Sequence, residues 1–167
     1  MHEIVLTLVR THEGWAAPIV FLLAFGESLA FVSLLLPATA LLFGIGGLVG
    51  AAGIGFWPVW FAAVLGAALG DWVSFWLGGY FRHGIGRLWP LSRHPDLLPA
   101  GEAFFRRWGT PGVFLGRFFG PLRSAVPLVA GICGMPAWRF QIANVASALV
   151  WATGILTPGL FAARWLL

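Results

Sequence analysis

The sequence predicts an all-α, polytopic membrane protein of spanning helices and broken apolar segments, with a weak pseudo-inverted repeat. Three observations lead there. First, 59% of the 167 residues are apolar and only 10% are charged, whereas soluble domains usually carry about 25% charged residues. A core of this size could not hide that apolar excess, which excludes a soluble enzyme. Second, the 43 residues between Glu27 and Asp71 include no ionisable group. As one helix they would reach about 65 Å, roughly twice the hydrocarbon thickness, so the chain must fold back. Third, 23 Gly, 11 Pro and 10 Trp are scattered through apolar sequence, as suits membrane segments with breaks and interfacial anchors.

The net charge of +4 comes from Arg alone, with no Lys. The Arg residues are dispersed, so nucleic acid is not an expected partner, and anionic lipid headgroups are the natural one. The single cysteine, Cys133, permits no internal disulfide and reads as a small packed thiol. No paired ligand spacing appears among His2, His12, His83 and His94, so no metal site is expected. A Walker lysine, a Gly-x-Ser-x-Gly elbow and a zinc-binding His pair are all missing. No cofactor and no covalent chemistry are expected.

Taken in order, residues 1–13 read as an amphipathic interfacial helix, with Ile4, Val5, Leu8 and Val9 set against His2, Glu3, Arg10 and His12. Glu3 and Glu13 argue against a cleavable leader. Residues 14–80 form a first half. Pro18 to Pro37 is an apolar segment with a central Glu27 and a proline break, and Gly44 to Pro58 offers a bend. Trp57 to Tyr80 is a spanning helix with close-packing Gly66 and Gly70 followed by Asp71. Residues 81–108 form a basic loop, cytoplasmic by the positive-inside rule, within which Pro99–Trp108 is a short surface helix ended at Gly109–Pro111. Residues 109–167 form the second half. Here 112–134 is interrupted by Arg117, Gly120, Pro121, Arg123 and Pro127, a pattern for a broken or re-entrant segment facing protein or a cavity. Met135–Leu160 is the last spanning helix, broken or ended by Pro158-Gly159, with Gln141, Asn144 and Ser147 on one inward face. The whole is one membrane-embedded domain, 1–167.

The candidate functional residues are the charges at depth. An ionised Glu27 in hydrocarbon must pair, face water or take a proton, so it is either a coupling residue or half of a structural pair. Arg117 and Arg123 cannot give up their charge, but the guanidinium fork matches phosphate oxygens. A turn at Gly120-Pro121 would let both converge on one anion; alternatively they neutralise Glu27 and Asp71. Asp71 is a second proton site or an Arg partner. Gln141 and Asn144 cap broken-helix backbone groups or line a substrate path.

The stretches Ala103-Phe104-Phe105-Arg106-Arg107-Trp108-Gly109, Gly116-Arg117-Phe118-Phe119-Gly120-Pro121-Leu122-Arg123 and Val126-Pro127-Leu128-Val129-Ala130-Gly131 resemble the hallmark sequence of the DedA family, the SNARE-associated or VTT-domain membrane proteins. Met135, Phe140, Asn144 and Trp151 continue the resemblance. In the first half Phe25-Gly26-Glu27 is similar to the family's early glutamate, and Gly66-x-x-x-Gly70-Asp71 with Gly78 to its Gly-x-x-x-Gly-Asp helix. The resemblance covers roughly residues 20–155 and implies an inner-membrane protein with two opposed re-entrant hairpins among spanning helices. It further implies lipid transport: return of undecaprenyl phosphate across the bacterial inner membrane with proton coupling, or uncoupled phospholipid scrambling; the residues alone leave open a structural or assembly protein whose charges only hold helices together. By resemblance Glu27 is the acidic coupling residue, with Asp71 a second candidate, and Arg117 and Arg123 are the basic pair. Expected partners are thus a polyprenyl phosphate or phospholipid, protons, and a second copy of the chain. Two positions depart from the pattern: Pro37-Ala38-Thr39 stands where the family commonly has Pro-Gly-Asp or Pro-Gly-Glu, and Phe75 where a tyrosine is frequent.

Overall fold

A computed structural model describes residues 13–29, 38–81, 97–119 and 122–166. Its elements are α1 (Glu13–Ser28), α2 (Ala38–Ala52), α3 (Phe56–Phe81), α4 (Leu97–Gly116), α5 (Leu122–Ile132) and α6 (Ala137–Leu166). Every described element is helical, in line with the expected class. Residues 1–12, most of the polar loop, Pro37, Gly120 and Pro121 lie outside the described residues, and so does the side chain of Thr39.

Among the described residues, two helices are long and apolar enough to cross a bilayer: α3, and α6 over Ala137–Pro158. At 26 residues, α3 extends about 39 Å. Aromatic residues mark its two ends, exposed Trp57 stacking edge-on with half-buried Trp60 and exposed Trp76 lying flat on exposed Tyr80. These pairs sit roughly 20 residues apart, hence about 30 Å, which matches a hydrocarbon core between two aromatic girdles. Helix α6 runs antiparallel to α3: Phe140 stacks on Phe75 at 4.2 Å near one end, and the Trp60 indole donates to Thr153 near the other. Pro158 lies inside α6 and does not end it, contrary to the sequence-based expectation. The proline removes one backbone donor, and the helix continues because the neighbouring turn is held by packing, Leu156 lying against Gly46 of α2.

The shorter helices lean on this pair. α1 packs along α3 in the same chain direction, Phe21 meeting Gly66 and Ser28 meeting Gly70. The fit requires glycine, since a Cβ on Gly70 would fall 2.6 Å from the Phe25 carbonyl oxygen. Without water to squeeze out, such backbone proximity is what holds helices together in lipid. α2 returns beside α6, with Gly46 against the Leu156 backbone, and the expected bend follows at Gly53, in the left-handed region. Val20 and Ala24 of α1, Leu42 of α2, Ala63 of α3 and Ala152 of α6 share one buried cluster.

The second half follows a similar plan. The short helix expected within the polar loop over Pro99–Trp108 is present and starts at Leu97, and the chain breaks at Gly109 (φ 48°, ψ −128°) before winding on to Gly116. The part after the break packs against α5, Gly116 touching Val126. α5 then lies on the far end of α3, where any side chain at Gly78 or Gly131 would overlap the opposing backbone. Outward, the helices present large apolar side chains such as Trp72, Phe61 and Ile142, while Asp71, Asn144 and Ser147 are buried. Apolar outside and polar inside is the surface a bilayer favours.

Candidate functional site

Four charges meet where the short helices end against the long ones. Glu27 belongs to the last turn of α1, Asp71 to the middle of α3, Arg117 to the turn after α4 and Arg123 to the first turn of α5. Their exposures are 6, 5, 4 and 9%, low enough that each must find its partner inside the protein. Arg117 pairs with Asp71, and Arg123 Nη1 donates to Glu27 Oε1 at 2.7 Å. The two pairs lie within Coulomb range of one another, so they form one neutral quartet.

The Arg117 pair is tied into both long helices. Nη1 donates to the Asn144 carbonyl oxygen and to Ser147 Oγ, each at 3.0 Å. Nη2 donates to Asp71 and, at 3.4 Å, to the Ala67 carbonyl oxygen. Arg117 directly follows the C-terminus of α4, where exposed carbonyl groups favour a cation. Asn144 holds the opposite wall, its Nδ2 donating to the Ala68 carbonyl at 2.9 Å and to Gln141 Oε1 at 3.1 Å. Ser74 Oγ, at 3.3 Å from the Ser28 carbonyl, secures the end of α1.

Arg123 is held more lightly. Its guanidinium lies over the Trp151 ring, 4.3 Å from the centroid, within cation–π range. Among the described residues its Nε and Nη2 have no hydrogen-bond partner. Both members of its pair also oppose their helix dipoles: Glu27 is an acid near a C-terminus and Arg123 a base near an N-terminus. Each therefore relies on the other for compensation.

The structure thus brings Glu27, Asp71, Arg117, Arg123, Gln141 and Asn144 into one region. It pairs each Arg with one acid, the second of the two arrangements open to the sequence. Gly120, Pro121 and Pro37 fall outside the described residues. Three participants were not singled out by sequence reasoning about the site: Ser28, beside Asp71, Ser74, which donates to the Ser28 carbonyl oxygen, and Trp151 as the platform for Arg123. Trp151 carried a signal, since 144, 147 and 151 share one helical face.

A helical membrane protein that buries paired charges at the meeting point of two long apolar helices and several short ones is the class these features define. The VTT domain model matches residues 36–161, and the chain belongs to this family, the DedA family. Inner membrane protein YabI of Escherichia coli is 39% identical over 143 residues, which cover 86% of this chain and 56% of that protein. An uncharacterized membrane protein of Buchnera aphidicola from Acyrthosiphon pisum is 32% identical over 142 residues, 85% of this chain and 56% of the relative. One from Mycobacterium tuberculosis strain H37Rv is 37% identical over 113 residues, 63% of this chain and 52% of the relative. The chain spans about half the length of the curated relatives it matches. No solved structure gives a significant match.

Proposed function

We propose that the chain is a transporter rather than an enzyme, moving a lipid-linked phosphate of the undecaprenyl phosphate type across the bacterial inner membrane with proton coupling. The observation that carries this reading is the contrast within Arg123: a buried guanidinium with one acid partner, an aromatic rest and two nitrogens without partners among the described residues. An anion arriving there would meet the donor fork and the first turn of α5, both of which favour phosphate.

The chain path supports a route. α1 runs along the first part of α3 to its middle, where Ser28 meets Gly70, and α2 ends just before α3 begins, while α5 lies against the other end of α3 at Gly78. At 16, 15 and 11 residues, helices α1, α2 and α5 extend only about 24, 22 and 16 Å, short of a bilayer crossing. In this reading they are two opposed re-entrant hairpins related by an inverted repeat, whose tips meet at the charge quartet. The Arg106–Arg107 part of α4 and the start of α6 face the cytoplasm in this reading. Protonating Glu27 removes its hold on Arg123 and its conflict with the α1 dipole together, so that proton entry frees the cation for phosphate. The polyprenyl tail stays in lipid. A second copy of the chain is compatible with this scheme.

The test is flipping by purified protein in liposomes, comparing undecaprenyl phosphate with phosphatidylcholine, with and without a pH gradient. The expected outcome is selective polyprenyl phosphate movement that responds to the gradient. In Glu27→Gln this movement is expected to be lost; full, pH-independent movement in that variant would overturn proton coupling through Glu27. Movement of every lipid regardless of gradient would replace the coupled flippase with a downhill scramblase. No movement in any arm would remove the transport reading.

A further inference from the structure

Away from the charge quartet, a cavity of about 380 Å³ opens between α4 and the α5–α6 turn. Its walls include Phe105 and Met135, its rim Arg106, Arg139 and Glu102, and Cys133 lines it as well. The size falls within the range of small-ligand pockets, about 300–1,000 Å³. Two glycines in the left-handed region, Gly109 and Gly134, shape it from opposite sides. No member of the quartet contributes.

We propose that this cavity binds a phosphate-bearing group at the membrane surface, as a site separate from the transport path. The charge balance selects an anion, with two guanidiniums against one carboxylate. Glu102 and Arg106 lie one turn apart on α4, yet among the described residues the ion pairs are those of the quartet. Both Arg side chains are exposed, so their donors are accessible. The surroundings favour a lipid headgroup as the source. Arg107 lies over Trp108 and Arg139 over Trp138, at 6.0 and 5.1 Å. Both Trp rings are exposed, as interfacial anchors are. An acyl chain attached to the phosphate would leave past these rings, while the phosphate stays between Arg106 and Arg139.

Cys133 is the only cysteine and is partly exposed, which gives a direct readout. The full chain in detergent is labelled with a maleimide in the presence of short-chain phosphatidic acid, matched phosphatidylcholine or inorganic phosphate, and lipid retention is read in parallel by native mass spectrometry. Phosphatidic acid is expected to slow labelling and to be retained, and phosphatidylcholine to do neither. Arg106→Gln and Arg139→Gln are each expected to weaken phosphatidic acid binding by about tenfold, the effect of losing one charge-assisted contact. Protection by inorganic phosphate at similar concentration assigns the same site to a soluble anion; protection by phosphatidic acid alone assigns it to lipid. Two results overturn the proposal: equal retention of both lipids, or undiminished phosphatidic acid binding in the double variant. Neither depends on whether the chain transports anything.

Discussion

Arg117 and Arg123 differ in how the protein holds them, although they stand six residues apart and share one cluster. Arg117 donates to four acceptors on α3 and α6, and it follows a helix C-terminus that favours its charge. Arg123 donates once to Glu27, rests on Trp151 and starts a helix whose N-terminus disfavours a cation. Both are buried, but only Arg117 has its two terminal nitrogens fully engaged. The difference teaches that sequence proximity and equal burial do not imply equal roles. Arg117 is built as a clamp that locks the end of α4 to the long helices. Arg123 is held in a way that a competing anion could reverse.

The largest effect is expected at Arg117. Replacing it with Ala leaves Asp71 buried without its cation, and breaking a buried pair from one side costs about 3–5 kcal/mol. Thermal unfolding in detergent, followed by size-exclusion chromatography, should show a severe loss of folded protein. Arg117→Lys should rescue little of it, because one ammonium cannot reproduce a planar fork reaching Asp71, Ser147 and two carbonyl oxygens. The double change Arg117→Leu with Asp71→Leu should be less damaging than Arg117→Ala, since it removes both charges together. If Arg117→Ala unfolded no more easily than Arg123→Ala, the clamp would be no clamp.

Arg123→Gln should invert the pattern. Its stability cost is expected at about 1–2 kcal/mol, because Arg123 has one hydrogen bond to lose and the α5 N-terminus is relieved of a cation. Transport of polyprenyl phosphate in liposomes should nevertheless fall by more than about tenfold, the loss of at least one charge-assisted contact. A variant that folds and flips normally would leave the two arginines with no functional difference. A variant that unfolds as badly as Arg117→Ala would make both of them structural.

Much of this arrangement was legible in the sequence, for reasons that can be stated. Charges isolated in apolar runs must be satisfied by one another, so Glu27, Asp71, Arg117 and Arg123 stood out without any knowledge of contacts. The extent of α3 followed from its flanking aromatics and its apolar length. What did not follow was which acid takes which base, because that depends on the depth at which each broken segment turns. Local sequence does not encode depth; it emerges from the packing of α1 on Gly66 and Gly70 and of α5, through Gly131, on Gly78 of α3. The continuation of α6 through Pro158 was missed for a related reason. A proline weakens a helix locally, but tertiary packing around Leu156 and Gly46 decides whether the chain goes on. The role of Trp151 was hidden because an aromatic residue on an apolar helix reads as packing until a cation is placed over it.

The smallest expected effect belongs to that tryptophan, and it sharpens the comparison furthest. Trp151→Leu keeps an apolar side chain in the α3–α6 cluster but removes the π face beneath Arg123. A cation–π contact shielded from water contributes up to about 2 kcal/mol, part of which the leucine recovers by packing. A stability loss near about 1 kcal/mol is therefore expected, together with weaker phosphate selectivity in the flipping assay, because the guanidinium loses its fixed plane. Trp151→Phe, with a smaller aromatic face, should fall between leucine and wild type. A double-mutant cycle with Arg123→Gln separates this from simple cavity formation. If Trp151 acts through Arg123, the two changes together should cost less than the sum of the singles, by more than about 0.5 kcal/mol. Additive costs would return Trp151 to the hydrophobic core and leave Glu27 as the sole hold on Arg123. The same cycle between Trp151 and Arg117 should show no such coupling, since Arg117 draws its support from Asp71, Asn144 and Ser147.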